Sequence, residues 1–125
     1  MTNYKRGDFI LALFPDSNLQ TAKKRPVLIV QADDLQTNLP QLIVAMVTSN
    51  LSRKDHQSRV FIELSTPIGR ESGLLSDSVI ATDNLATLDE RFIYKRLGKL
   101  SDFSDVEKAL AHTFGLNIVL SDKVD

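Results

Sequence analysis

Apolar residues through most of this chain recur with a period of two, and a helical period takes over only near the end. That order restricts the fold to a series of short strands followed by one helix. Asp8 to Phe14 reads as a strand closed by the Pro15-Asp16 turn, and Pro26 to Gln31 as a nearly all-apolar strand buried on both faces. A glycine-free loop, Asp16 to Lys24, joins them, and Pro40 introduces a third strand, Leu42 to Val47. After a polar connection from Leu51 to Ser58, the stretch Arg59 to Leu64 alternates Val60, Ile62 and Leu64 against Arg59, Phe61 and Glu63. Gly69 to Gly73 reads as a loop. Ser78 to Ala81 and Ala86 to Leu88 read as short strands, and Ile93 to Leu97 as a further one before Gly98.

The helix has a marked start. Ser104-Asp105-Val106-Glu107 fits a capping box, Val106, Leu110, Thr113 and Phe114 form one stripe, and Gly115 suits the C-terminal cap. Short strands followed by one amphipathic helix predict a mainly β fold, a small and partly open β-barrel with the helix packed against it. With 125 residues, 42% apolar and 25% charged, the chain suffices for one core, and a single domain over 1–125 is expected.

Composition removes several chemistries. The absence of cysteine excludes disulfides, thiol catalysis and cysteine-containing metal sites. His56 and His112 are too few and too far apart to suggest zinc. The longest apolar run, Phe9 to Phe14, is far short of a membrane span, and the start Met1 to Arg6 leads into Gly7-Asp8 rather than a secretory hydrophobic region. A cytoplasmic protein without membrane association is expected. A net charge of −1 argues against nonspecific coating of nucleic acid. The cations are unevenly placed, however: Lys5, Arg6, Lys23, Lys24, Arg25, Arg53, Lys54, Arg59 and Arg70 precede the acids that accumulate from Asp77 to Asp105. Such a basic end suits either a short anionic strand or plain solvation.

The run Lys23-Lys24-Arg25-Pro26-Val27-Leu28-Ile29-Val30, together with Val47-Thr48-Ser49, sets a guanidinium and two hydroxyls at the ends of two strands predicted to be neighbours. A phosphate could be held there. Pro26 biases Arg25 towards extended geometry, aiming its side chain before the strand is buried. The same residues also make an ordinary solvated strand end.

Six blocks in register carry a family resemblance: Lys5-Arg6-Gly7-Asp8, Lys24 to Gln31, Val44 to Ser49, Ser72-Gly73-Leu74 with Asp77 to Ile80, Thr87-Leu88-Asp89, and Leu97-Gly98-Lys99-Leu100. Over residues 5 to 116 the chain resembles the PemK/MazF-type toxins. The resemblance implies the SH3-like barrel of plasmid-maintenance toxins with its C-terminal helix, usually a homodimer. It also implies endoribonuclease cleavage of single-stranded RNA, specifically mRNA, with no metal or cofactor, restrained by a cognate antitoxin. Arg25 matches the family's catalytic arginine and Thr48 its catalytic threonine, with Ser49 as an auxiliary donor.

Metal-free cleavage needs the 2′-hydroxyl to attack the adjacent phosphorus while charge on the phosphorane oxygens is balanced. A permanently charged, forked guanidinium suits that task. Some members carry the general base as an acid two positions after an arginine; here the acid is Asp83, but the arginine's position is Ala81. Asp83 is the candidate base, with a turn aspartate in Thr82-Asp83-Asn84 as the alternative. Other members place a glutamate before Arg-Pro, where this chain has Gln20, which cannot accept a proton at neutral pH and stays only a candidate for RNA contact. Lys23, Lys24 and Arg53 are candidates for phosphate grip, and Phe14 could stack on a base or pack in the core. His56 and His112 are not expected to act in catalysis, and Asp89 reads as a turn or cap. A gyrase-poisoning relative working through its C-terminal helix, or a module that binds RNA without cutting it, remain the other readings. An acidic antitoxin segment that folds on binding is expected to cover Arg25 and Thr48.

Overall fold

In the computed structural model, which describes residues 3–117, three adjacent strands carry both halves of the core. Met1, Thr2 and residues 118–125, the outer positions of the expected domain, lie outside the described residues. The strands are β1 (Asp8–Pro15), β2 (Ala22–Ile29), β3 (Gln41–Thr48), β4 (Arg59–Ile62), β5 (Ser78–Asp89) and β6 (Ile93–Lys99). They form one antiparallel sheet in the order β4-β5-β3-β2-β1-β6. Helix α1 (Pro67–Ser72) follows β4 and packs on β6, and α2 (Ser104–Phe114) packs on β4 and β5.

Alternation along β1 to β3 supplies two apolar clusters, one on each face. Phe9, Leu28, Ala45 and Val47 join Ile80 and Val106 of α2 on one side. Ile10, Phe14, Val27, Ile29 and Val44 join Leu88 on the other. Burial on both faces explains the continuous apolar run Val27 to Val30, and each such side chain contributes roughly 1.5–3 kcal/mol when fully buried.

The two end strands, β4 and β6, are not neighbours in the sheet, and α1 stands where β6 must be covered. Its first turn is set by Thr66, whose hydroxyl accepts the Gly69 N–H at 3.0 Å, with Pro67 opening the helix. Contact between α1 and β6 is backbone against backbone: a Cβ on Gly98 would strike the carbonyls of Glu71 and Ser72, and one on Gly73 the carbonyl of Leu97. Gly73 also ends α1 in the left-handed region, at φ 73°. The run Gly69 to Gly73, expected as a loop, is therefore mostly this helix.

Other boundaries also shift. The hairpin after β1 is tighter than the expected Asp16–Lys24 loop, because β2 begins at Ala22 opposite Pro15. Lys23, Lys24 and Arg25 are thus strand residues whose side chains alternate between faces. The two short strands expected around Asp83 are one strand, β5, with a bulge at Thr82–Asn84: Ala81 pairs with Met46 and Leu85 with Ala45. Thr82 fixes the bulge, its N–H and hydroxyl both donating to the Ser58 carbonyl. Asp89 caps a short 3-10 turn, Glu90–Phe92.

The capping box does not form. Ser104 donates its N–H and hydroxyl to Asp102 Oδ1 at 3.0 and 2.7 Å, while Glu107 is drawn to Arg6 at 3.3 Å. Gly115 ends α2 at φ 67°, where a C-cap glycine is needed. Of the expected stripe, Val106 is buried and Thr113 shares a hydrogen bond with Thr82 at 2.8 Å, but Phe114 is exposed and Ala109 and Ala111 face inward in its place.

Candidate active site

The β2–β3 ladder stops at Val27–Met46, one residue short of Pro26 on the β2 side. Continued by two residues, the same register sets Arg25 opposite Thr48, so both side chains leave the sheet on one face. Here the strands part and a groove of about 580 Å³ opens. Lys24, Arg25, Thr48 and Ser49 line it, with Leu74 and Leu75 as an apolar wall. Leu75 is 98% exposed. Lys24 Nζ lies 4.4 Å over the Tyr94 ring, which keeps that cation at the rim.

Thr48 is prepared to donate. Its Oγ1 accepts the Asn50 N–H at 3.1 Å, which occupies a lone pair and leaves the hydroxyl hydrogen free. Arg25 is half-buried, with 31% of its side chain exposed, and its Nη2 lies 3.5 Å from Asp16 Oδ1. Its Nε is buried without a hydrogen-bond partner. Asp16 in turn accepts the Thr21 hydroxyl at 2.6 Å. That hydrogen bond, followed by the charges of Lys23 and Arg25, holds the Asp16 carboxyl below its usual range despite some desolvation.

On the far side of Arg25 lies a second, polar cavity of about 500 Å³. Asp16, Asn18, Lys23, Met46 and Asn84 line it. Arg25 is therefore the wall between an apolar groove and a polar one.

The structure gathers Arg25, Thr48, Ser49, Lys24 and Lys23 around these two cavities and leaves the other candidates elsewhere. Phe14 is 1% exposed inside the second cluster and has no face to offer a base, which corrects its assignment to RNA contact. Gln20 is exposed at the hairpin tip, and Arg53 in the 51–58 connection; neither lines the grooves. Asp83 is not a turn residue but part of the β5 bulge, facing β4. Its Oδ2 accepts the Ser58 hydroxyl at 2.9 Å and its Oδ1 lies 2.9 Å from Arg59 Nε, an ion pair whose N–H is not aimed at the oxygen. Desolvation opposes ionisation there, but Ser58 and Arg59 together outweigh it and hold the carboxyl below its ordinary value. Occupied oxygens, low basicity and a position outside the groove make Asp83 a poor proton acceptor for this site.

His56 and His112, distant in sequence, meet edge to face with ring centroids 6.1 Å apart. His56 Nδ1 accepts the Ser58 N–H at 3.1 Å. His112 borders a separate cavity with Arg59 and Lys108 beside α2. No pattern in the sequence pairs these rings, because the contact depends on how α2 lies over the 51–58 connection. Asp16 is the other residue missed: its place in a Pro-Asp turn gives a sufficient local reason for an aspartate, and its reach to Arg25 appears only in the hairpin register.

Comparison with known proteins gives concordant findings. Residues 5–114 match the model of the PemK-like, MazF-like toxin of type II toxin-antitoxin systems. The chain is 33% identical over 122 residues to an endoribonuclease MazF of Staphylococcus saprophyticus, covering 95% of this chain and 98% of that protein. Among solved structures it is similar to an endoribonuclease bound to its cognate antitoxin from a mycobacterial species, with TM-score 0.70 and 19% identity over 93% of this chain and 99% of the other. It is also similar to a MazE-MazF structure from Deinococcus radiodurans, with TM-score 0.67 and 18% identity over 93% and 100% of the two chains.

Proposed function

Since the chain belongs to the family of PemK-like, MazF-like toxins of type II toxin-antitoxin systems, we propose that it is an endoribonuclease whose centre is the Arg25–Thr48 groove. The observation that carries this reading is the meeting of a half-buried guanidinium and a hydroxyl with a free hydrogen where β2 and β3 part. A phosphodiester of single-stranded RNA lies across that pair. The 2′-oxygen bonds to phosphorus and gives up its proton to water, the bond to the 5′-oxygen breaks and that oxygen takes a proton from water, and the products are a 2′,3′-cyclic phosphate and a 5′-hydroxyl. Arg25 and Thr48 donate to the phosphorane oxygens as their charge grows, which is where preorganised donors accelerate most. No metal or cofactor takes part in this reading.

Lys23 and Lys24 leave β2 on opposite faces and hold phosphates on either side of Arg25, with Ser49 as an auxiliary donor. Preference for a base sequence arises from the two unlike cavities flanking Arg25. An acidic antitoxin segment occupies the same groove, presenting carboxylates to Arg25 and apolar side chains to Leu74 and Leu75. A complex that leaves Arg25 and Thr48 open to RNA would overturn this placement. The active form is a homodimer acting in the cytoplasm on mRNA; no helix among the described residues is long and apolar enough to cross a membrane.

The test is incubation of the protein and its Arg25→Ala variant with a long single-stranded RNA in excess EDTA, followed by analysis of fragment ends. Discrete cuts bearing cyclic phosphate, reduced at least about a hundredfold in the variant, are expected. Equal cutting by both would remove Arg25 from the site, and intact RNA in both would favour action by binding alone.

A further inference from the structure

We infer that Asp16 is a positioning residue for this reaction, the anchor that holds the Arg25 guanidinium at the wall between the two cavities. The inference rests on the ribonuclease reading for its catalytic part and on geometry for the rest.

An arginine side chain has many rotamers, and one that must meet a phosphorane loses much of its value unless it is held in advance. Packing covers much of the Arg25 side chain, which is 31% exposed, but no hydrogen bond along the stem fixes its direction. The residue opposite it on β1 is Ala12, too small to pack against the guanidinium, and β3 has already diverged. Nε is buried but makes no hydrogen bond. The fixed point is at the other end, where Nη2 meets Asp16 Oδ1 at 3.5 Å.

Asp16 itself is held firmly. Its side chain is only 16% exposed. Its Oδ2 takes the Thr21 hydroxyl at 2.6 Å, and its N–H donates to the Thr21 carbonyl at 2.8 Å. The Leu19 N–H returns to the Asp16 carbonyl at 2.9 Å, and Asn18 Oδ1 accepts from the N–H groups of Gln20 and Thr21. The hairpin is thus a small closed network whose one outward charge-bearing oxygen points at Arg25. Its length follows from the Pro15–Ala22 register, which places Asp16 beside a residue nine positions along the chain.

Two other roles for Asp16 give different chemistry. As a general base it would need a free and reasonably basic oxygen, but Thr21, Lys23 and Arg25 stabilise its charged form. As an anionic decoy it would have to be expelled by the substrate phosphate. A single 3.5 Å contact at one Nη engages no more than part of the guanidinium's five N–H donors, so a phosphate can be met without expelling Asp16.

Asp16→Asn is the informative variant, because the amide oxygen can still accept from Thr21 while the charge that holds Arg25 is lost. Steady-state cleavage should show kcat reduced about tenfold with KM within about twofold, equally across pH 6 to 9. In the RNA-free protein, the Arg25 Nε–H signal in ¹⁵N relaxation should report a side chain more mobile in the variant than in wild type. Thr21→Val, which loosens Asp16 without touching Arg25, should reproduce a smaller part of both effects.

An unchanged or raised kcat would overturn the inference, the latter by making Asp16 a decoy. A loss that grows only towards low pH would make it a base. An Arg25 side chain equally rigid in both proteins would also overturn it. If wild type cuts no RNA, the ribonuclease reading fails by itself, and the relaxation measurement alone decides whether Asp16 anchors Arg25.

Discussion

Replacing Thr48 by valine separates the chemistry of the groove from its architecture. Valine keeps the β-branched shape that suits the end of β3, so the strand and the apolar packing of neighbouring Val47 are retained. What is lost is one oxygen with two duties. Towards the protein it accepts the Asn50 N–H at 3.1 Å; since Asn50 is exposed, water replaces that acceptor and the cost falls at the low end of the usual 0.5–1.5 kcal/mol or so for a hydrogen bond. Towards the substrate it is a donor to charge that develops only in the transition state, where one such group is worth about 3 kcal/mol. Thr48→Val should therefore lower the single-turnover cleavage rate at least about a hundredfold, while the urea midpoint moves little. Thr48→Ser should retain most of the rate, because the hydroxyl survives. The assay is cleavage of a labelled single-stranded RNA in EDTA with enzyme in excess, beside urea unfolding of all three proteins. Equal rates for the valine and serine variants would refute the donor role, and a large fall in stability for valine would show that Thr48 is architectural.

The seam between α1 and β6 should respond to one methyl group. Gly98→Ala must push that backbone from the Glu71 and Ser72 carbonyls, and urea unfolding should register a loss of about 1–3 kcal/mol; an unchanged midpoint would mean that the contact is looser than the structure shows. Asp83 should contribute to acid sensitivity. Its folded-state pKa lies below the ordinary 3.8, so its stabilisation is complete above that value and is lost as pH falls from 3.8 through the folded pKa. The difference in thermal midpoint between wild type and Asp83→Asn should be largest near neutrality and shrink as pH falls below 3.8, and a difference that grows on acidification would contradict the Ser58–Asp83–Arg59 account.

The strand positions and the terminal helix were legible in the sequence because each is written locally, in alternation and in a helical stripe, whereas Arg25 and Thr48 were matched through the family resemblance and are brought opposite each other only by the β2–β3 register. The failures share a different cause. Glu107 satisfies the capping-box spacing, but a cation from the N-terminal segment, Arg6, competes for it. Thr82-Asp83-Asn84 has turn composition, yet its donors are taken by Ser58 and the residues bulge from a continuous strand. Gly69 and Gly73 read as loop residues, although a helix there tolerates glycine because its neighbours' backbones come too close for a side chain. Phe14 lies beside a turn, where stacking on a base and core packing were both open, and residues of β2, β3 and β5 in the second cluster decide for the core. In each case a distant part of the chain decided the outcome.

Pro26 has a consequence beyond the direction it gives to Arg25. The β1–β2 ladder runs through Pro26 without a break, whereas the ladder to β3 ends just before it. From Ala22 to Pro26 the strand is therefore an edge inside an otherwise paired sheet, open on one flank. Exposed edges invite strands of other molecules to add to them and so nucleate aggregation. This one lacks an N–H at the proline and carries three successive cations, Lys23, Lys24 and Arg25, two of the standard devices by which natural sheets discourage such pairing. The residues that draw a polyanion into the gap thus also protect the gap from β-strand polymerisation, and neutralising them for solubility or crystallisation would remove both effects together and leave Pro26 alone to guard the edge.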